Sequence, residues 1–132
     1  MRAKAETVLC RAMINAINAS GRACVWRQQS GRVAVKRGWM HLAPEGSSDI
    51  VGYLLDGSGR HVSIEVKDLS TGHGKRGASA EQTSLLAEVA AAGAVAGVAT
   101  SVDEALAIVG FCAQSRAIAG CRCRLCAGPA EP

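Results

Sequence analysis

The chain has 132 residues, which is enough for one domain with a single core and too few for two ordinary domains. Its formal net charge of +4 is unevenly spread: residues 1–37 hold eight Lys and Arg against one Glu, a local charge of +7, which leaves −3 for residues 38–132. The basic half indicates either a polyanionic partner such as nucleic acid or a solubilising basic surface. The four aromatic residues are too few for a base-stacking platform. The longest apolar run, residues 89–99, is too short for a membrane span.

The first predicted element is an amphipathic helix. Apolar residues recur at helical spacing over residues 5–19, and a Ser-Gly pair ends the pattern. Glu6, Arg11 and two asparagines interrupt the segment too often for a signal peptide, so we expect a soluble, cytoplasmic protein. In a reducing cytosol the six cysteines are expected to be free thiols or metal ligands rather than disulfides.

Extended segments follow this helix. Residues 23–29 are typical of a short strand, and residues 30–38 of a turn that leads into extended chain. Residues 49–55 and 60–67 are both extended, and the Asp-Gly-Ser-Gly sequence between them carries the glycines that tight turns need. These last two strands are therefore predicted to form a β-hairpin.

The second half of the chain predicts helices around one more strand. Residues 68–79 are rich in Gly, Ser and bases and are expected to be a mobile loop. A capping box at Ser79 and Gln82 opens the next helix, and a second at Ser101 and Glu104 opens the last, which is expected to reach about residue 112. A short apolar strand lies between them. The order α-β-β-β-α-β-α predicts an α/β fold with a mixed β-sheet flanked by helices.

The second hairpin strand places charges among apolar residues. Because side chains alternate along a strand, its valines and isoleucine share one face while Glu65 and Lys67 point to the other. A four-residue turn would pair Asp49 with Val66, and a slip of one residue or a bulge would bring Asp49 to the face of Glu65. Two carboxylates meeting there repel unless they share Mg²⁺, and a nearby lysine can steady an attacking water or developing negative charge. The alternative is a plain Glu-Lys pair on a solvated face.

This arrangement resembles a known nuclease signature. Asp49, fifteen intervening residues and Glu65-x-Lys67 on a hairpin resemble the motif of the PD-(D/E)XK superfamily. More closely, the segments GSSDIVGYL, SIEVK and SAEQTSLLAEVAAAGAVAGVATSVDEAL resemble the VRR-NUC branch, whose small stand-alone members are common in phages and bacteria. The resemblance extends over residues 6–109 and implies a restriction-endonuclease-like core that uses Mg²⁺ or Mn²⁺ to hydrolyse phosphodiester bonds in DNA.

The resemblance also implies roles for single residues. Asp49 and Glu65 are similar to the metal carboxylates of the family, and the main-chain carbonyl of Val66 to a further ligand. Lys67 is similar to the catalytic lysine.

Two further polar residues have open alternatives. Gln82 occupies the position of a glutamine beside the active site in many such nucleases, although a capping box alone also requires it. Glu6 resembles an additional metal ligand on the first helix, although a glutamate in the first turn also suits the helix dipole. The candidates for phosphate contacts, which confer affinity without sequence choice, are Arg27, Arg32, Lys36, Arg37, Lys75 and Arg76.

The C-terminal cysteines are the candidates for a second metal site. We predict a nuclease domain over residues 1–112 and a cysteine-containing tail over residues 113–132, disordered by composition or metal-binding. The candidate ligands are Cys112, Cys121, Cys123 and Cys126. Their spacing fits a Zn²⁺ site only in part, and one alternative is that they are free thiols. Resemblance to RecB-like relatives implies a further alternative, an iron-sulfur cluster completed by Cys10 or Cys24, although the spacing differs from theirs.

Together these features predict a compact, metal-dependent DNA nuclease. A core of this size offers one cleft, so a homodimer with paired sites is expected, and paired sites suit branched DNA of the Holliday-junction kind. The alternative function is a nucleic-acid-binding module without catalysis that carries a metal-bound cysteine tail.

Overall fold

The observed elements follow the predicted order with two additions. The computed structural model describes residues 2–29, 32–44 and 46–111, without the side chains of residues 2–4 and 73. The elements are α1 (Arg2–Ser20), β1 (Ala23–Arg27), β2 (Arg32–Val35), β3 (Gly38–His41), β4 (Ile50–Leu54), β5 (His61–Val66), α2 (Gly72–Lys75), α3 (Ala80–Ala91), β6 (Val95–Ala99) and α4 (Val102–Ile108). One sheet has the order β1-β4-β5-β6, and β2 pairs with β3 in a separate sheet. The predicted α/β class with a mixed sheet flanked by helices is confirmed.

One face of α1 supplies the helical half of the core. Cys10, Met13 and Ile17 are three and four residues apart, as one helical face requires, and all three are buried. At the end of α1 the Asn18 side chain donates to the carbonyl of Val25 (3.0 Å) and accepts from its amide (2.8 Å). These bonds pair the backbone groups that Val25 presents at the outer edge of β1. Among the described residues, no helix has the length and apolar character needed to cross a membrane.

The four-stranded sheet buries one apolar face against α1 and α4. Ile50, Val62, Ile64 and Val66 are fully buried there, which confirms the alternation predicted for the hairpin. β4 pairs antiparallel with both β1 and β5, whereas β5 pairs parallel with β6. The opposite face of β5 and β6 is covered by α3.

The hairpin register differs by one residue from that of a simple four-residue turn. Ile50 pairs with Ile64, so the same register continued by one residue sets Asp49 opposite Glu65 rather than opposite Val66. The connection contains Gly57 and Gly59, both with positive φ (91° and 66°), a conformation that side chains other than glycine rarely adopt. These glycines accommodate the extra residue of the turn, and the one-residue slip brings Asp49 to the charged face.

The two predicted capping boxes differ in the structure. At α3 the box is complete, since Ser79 Oγ accepts from the Gln82 amide and Gln82 Oε1 accepts from the Ser79 amide. At α4 only half of it forms, because the Glu104 carboxylate accepts from the Thr100 amide and hydroxyl instead of the Ser101 amide. α4 also ends at Ile108, earlier than predicted, where the chain turns.

The two additions are a short helix and a separate hairpin. The predicted loop over residues 68–79 contains α2. The buried Thr71, the residue before α2, holds this turn by two hydrogen bonds: its hydroxyl donates to the Asp68 carbonyl (2.9 Å) and accepts from the Gly74 amide (2.9 Å). The structure departs from the predicted loop only at residues 72–75, because side-chain bonds to the backbone close one helical turn there. Residues 30–38 were expected to lead into extended chain, and β2 and β3 form a two-stranded sheet of their own.

Candidate functional site

The predicted acid, base and second acid lie together at one end of the sheet. Lys67 Nζ is 3.7 Å from Glu65 Oε1, and the Val66 amide donates to Asp49 Oδ2 over 2.8 Å. This last bond crosses from the start of β4 to the end of β5 and fixes the Asp49 carboxylate beside the Glu65 side chain. The register therefore gathers Asp49, Glu65 and Lys67 on one face, which the sequence left open.

Glu65 is an almost fully buried carboxylate with one unused oxygen. Its side chain is 3 % exposed, while that of Lys67 is 14 % exposed. Oε1 accepts from Gln82 Nε2 and faces Lys67, whereas Oε2 has no hydrogen-bond donor among the described residues. A buried carboxylate oxygen without a donor is unfavourable unless a proton or a cation satisfies it.

The electrostatics of the site favour protonation of Glu65 and Glu6. Burial, and next the neighbouring Asp49 carboxylate, raise the pKa of Glu65 to about 8, against the opposing effect of Lys67. Burial, and next Asp49, also raise the pKa of Glu6, while Lys67 and Arg27 act to lower it. Glu6 is therefore within electrostatic reach of both Asp49 and Lys67.

Gln82 performs both of the roles that the sequence offered as alternatives. Its Oε1 completes the capping box of α3 with the Ser79 amide (2.8 Å), and its Nε2 donates to Glu65. The helix start thus holds one oxygen of Glu65 in place. The two functions require a glutamine rather than a glutamate, since only the amide offers an acceptor and a donor.

Two buried serines escaped the sequence interpretation. Ser48 Oγ and Ser63 Oγ are 2.6 Å apart, and both side chains are buried beside Asp49 and Glu65 respectively. This bond links the segment before β4 to β5, so it helps to hold the two carboxylates opposite each other. The only signal in the sequence was their position next to the two acids in GSSDI and SIEVK.

The candidate phosphate contacts lie in three places on the surface. Arg27 ends β1 and donates to Thr7 Oγ1 of α1 (3.5 Å). Arg32, Lys36 and Arg37 belong to the β2–β3 hairpin, and the remaining two are the last residue of α2 and the residue after it. All of them are exposed, and the six are Arg27, Arg32, Lys36, Arg37, Lys75 and Arg76.

The cysteines separate into two groups. Cys10 and Cys24, the two in the described part, are free thiols, and burial and next Asp49 raise the pKa of Cys10 to about 11. The candidate second metal site, Cys112, Cys121, Cys123 and Cys126, and the tail over residues 113–132 lie outside the described residues, so both stay predictions.

The donor set of the site is a pair of carboxylates with adjacent main chain. Within the described ranges, no group of three or more His, Cys, Asp or Glu side chains is arranged to hold a metal ion. The Asp49 and Glu65 oxygens are nevertheless the hard ligands that Mg²⁺ and Mn²⁺ prefer, and the donorless Glu65 Oε2 fits a cation. The sequence matches no protein-family model and no curated protein.

Proposed function

We propose that this chain is a metal-dependent nuclease that hydrolyses phosphodiester bonds in DNA, built on a restriction-endonuclease-like core. The observation that carries the proposal is the buried Glu65, whose Oε2 has no donor among the described residues while Asp49 lies beside it and Lys67 faces its other oxygen. A structural Glu-Lys pair on a solvated face needs neither the burial nor the second carboxylate.

The residues that hold the cation in this proposal are Asp49 and Glu65, with the Val66 carbonyl as a further donor, while Glu6 acts on them through its charge. When bound, Mg²⁺ or Mn²⁺ offsets the repulsion between the carboxylates and polarises a phosphoryl oxygen. Lys67 stabilises negative charge that develops on the phosphate, since its ammonium is partly exposed at the mouth of the site. Gln82 keeps the Glu65 carboxylate oriented.

The test is cleavage of single-stranded, duplex, flap and four-way DNA in Mg²⁺ and in Mn²⁺. We expect cleavage by the parent chain and a loss of about 100-fold or more in Asp49→Asn and in Lys67→Ala, the size typical of removing a group that stabilises charge at the reacting phosphate. The matched control is Asp56→Asn, which makes the same chemical change in the exposed turn at the far end of the same hairpin and should leave the rate unchanged.

Two results would contradict the proposal in different ways. Cleavage that survives both Asp49→Asn and Lys67→Ala would remove the site. Binding without cleavage in either metal would favour the second function, a nucleic-acid-binding module without catalysis, which the exposed bases alone support.

A homodimer that acts on branched DNA completes the proposal. One chain presents a single pair of carboxylates, so two symmetric cuts across a four-way junction require two copies. Cleavage of four-way DNA into paired, symmetric products by the parent chain is the corresponding readout in the same experiment.

A further inference from the structure

The β2–β3 hairpin stands apart from the rest of the fold. Seven of its eight strand residues are exposed, and only Val33 is half-buried. Among the described residues its close contacts lie almost entirely between its own two strands. An isolated two-stranded sheet is marginally stable in water. A partner that covers the hairpin would account for such exposure.

The two faces of the hairpin differ in chemistry. The pairing of Arg32 with His41 and of Ala34 with Trp39 sets these residues on one face. There the Arg32 guanidinium lies 4.7 Å from the centre of the Trp39 ring, in a cation-π contact. The opposite face carries Val33, Val35 and Met40, of which the last two are 45 % and 51 % exposed.

Positive charge covers the hairpin and the chain on either side of it. Residues 27–44 contain four Lys and Arg and no Asp or Glu. Lys36 and Arg37 form the turn, so the most protruding part of the hairpin is also its most basic part. This charge complements a polyanion and not a neutral protein surface.

The base of the hairpin is tied to the candidate site on one side, through the chain that precedes β2. The Gln28 amide donates to the carbonyl of Asp49 (2.8 Å), and the Ala43 amide donates to the carbonyl of Gln29 (3.2 Å). The hairpin therefore leaves the fold next to a metal-binding carboxylate. Whatever it holds lies beside the reacting centre.

We propose that the β2–β3 hairpin grips double-stranded DNA by entering a groove beside the cleaved strand, an inference that rests on the proposed nuclease function. The major groove is about 12 Å wide and admits a two-stranded β-ribbon. Lys36 and Arg37 contact phosphates, while the Trp39 side chain lies against the groove. The substrate class is base-paired DNA, either a plain duplex or the duplex arms of a branched molecule.

A single strand is the less suitable ligand for this hairpin. Single-strand binders stack successive bases on several open aromatic rings. The hairpin has one such ring, Trp39, and Arg32 already occupies one side of it. A groove, by contrast, requires a narrow basic projection, which is what the hairpin offers.

The test measures binding separately from cleavage. Affinity for duplex and single-stranded oligonucleotides is measured over a range of salt in the Lys67→Ala background, with Mg²⁺ present. The variants are Lys36→Ser/Arg37→Ser and Trp39→Ala, and the control is Arg11→Ala/Arg22→Ala, which removes two exposed bases from other parts of the fold. Thermal melting verifies that each variant is folded.

We expect the turn variant to bind duplex about tenfold or more weakly, with a salt slope lower by nearly two, because two phosphate contacts are lost. Trp39→Ala should weaken duplex binding several-fold. The control pair, Arg11→Ala/Arg22→Ala, should weaken it by less than about twofold, since these substitutions change only the long-range electrostatic potential of the protein. Equal weakening by the control, unchanged binding in the turn variant, or a preference of the background chain for single strands would each overturn the role of the hairpin. Cleavage by the parent chain would still stand in those cases, whereas a chain that neither binds nor cuts DNA would overturn both proposals.

Discussion

At the scale of single residues, Gln82 couples a helix cap to the buried carboxylate of Glu65. Its carbonyl oxygen completes the cap of α3 and its amide nitrogen donates to Glu65. A glutamate at the same position would keep the cap, because Glu serves equally well as the third residue of a capping box. It would also remove the donor and add a third carboxylate beside Glu65 and Asp49.

Gln82→Glu should therefore separate the two roles. We expect cleavage to fall about tenfold or more and the free energy of unfolding at pH 7 to fall by about 1–3 kcal/mol, because a buried carboxylate oxygen loses its donor. Ser79→Ala is the matched control: it should cost about 1 kcal/mol through the lost cap and leave cleavage within about twofold. Urea denaturation and initial rates measure both, and a Gln82→Glu chain that cuts DNA as fast as the parent would reduce Gln82 to a capping residue.

At the scale of elements, the close approach of β1 to β4 depends on Gly52. A Cβ atom built on Gly52 would lie 1.9 Å from the Cys24 carbonyl oxygen and 2.8 Å from the Val25 Cα, both in the facing backbone. Neither atom can move without shifting β1. β4 carries Asp49 at its start, so this pairing also bears on the position of the site.

Gly52→Ala should consequently destabilise the fold. We expect a loss of at least about 1–3 kcal/mol in the free energy of unfolding, the range found for overpacked cores. Gly72→Ala is the control, because nothing lies within 4 Å of its added Cβ and its φ is not positive; its effect should stay within about 0.5 kcal/mol. Equal urea midpoints for the two variants would show that β1 is not held where the structure has it.

The elements also show which features local sequence can predict. The buried alternation of β5 and the capping box of α3 were predicted because each depends on residues a few positions apart. The register of the β4–β5 hairpin could not be predicted, since the length of its turn depends on how Gly57 and Gly59 fold. The Ser48–Ser63 bond escaped for a similar reason: it joins residues 15 positions apart whose meeting follows from that register.

The separate sheet of β2 and β3 was beyond local prediction as well. Its residues show no clearer alternation of apolar and polar side chains than the strands of the main sheet do. The sequence therefore does not indicate which sheet these strands will join. The half-formed box of α4 has the same origin, because Thr100 competes with Ser101 for the Glu104 carboxylate. Sequence therefore predicted the charged residues of the site but not how they meet.

At the scale of the whole molecule, the candidate phosphate contacts and the acids of the site differ in burial. The candidate phosphate contacts all lie at the surface, whereas Glu65 is buried against Asp49 and Gln82. In the proposed function the exposed bases attract DNA, and the buried acids provide strong but costly metal ligands. Without a cation the ionised site should lower the stability of the entire domain, and the raised pKa of Glu65 fixes the direction of that effect with pH.

The free energy of unfolding in EDTA should accordingly decrease as pH rises. Folding raises the pKa of Glu65 from 4.5 to about 8, so the folded state binds the extra proton between these values; that stabilisation is complete below pH 4.5 and is lost as pH rises through about 8. Glu65→Gln cannot ionise, and every other titrating group is common to both chains. At pH 9 the variant should therefore be more stable than the parent by at least about 1 kcal/mol, with the difference nearly absent at about pH 4. Urea denaturation at the two pH values measures this difference. If the parent chain is as stable as Glu65→Gln at pH 9, the Glu65 carboxylate is solvated or already neutralised within the fold, contrary to its burial beside Asp49.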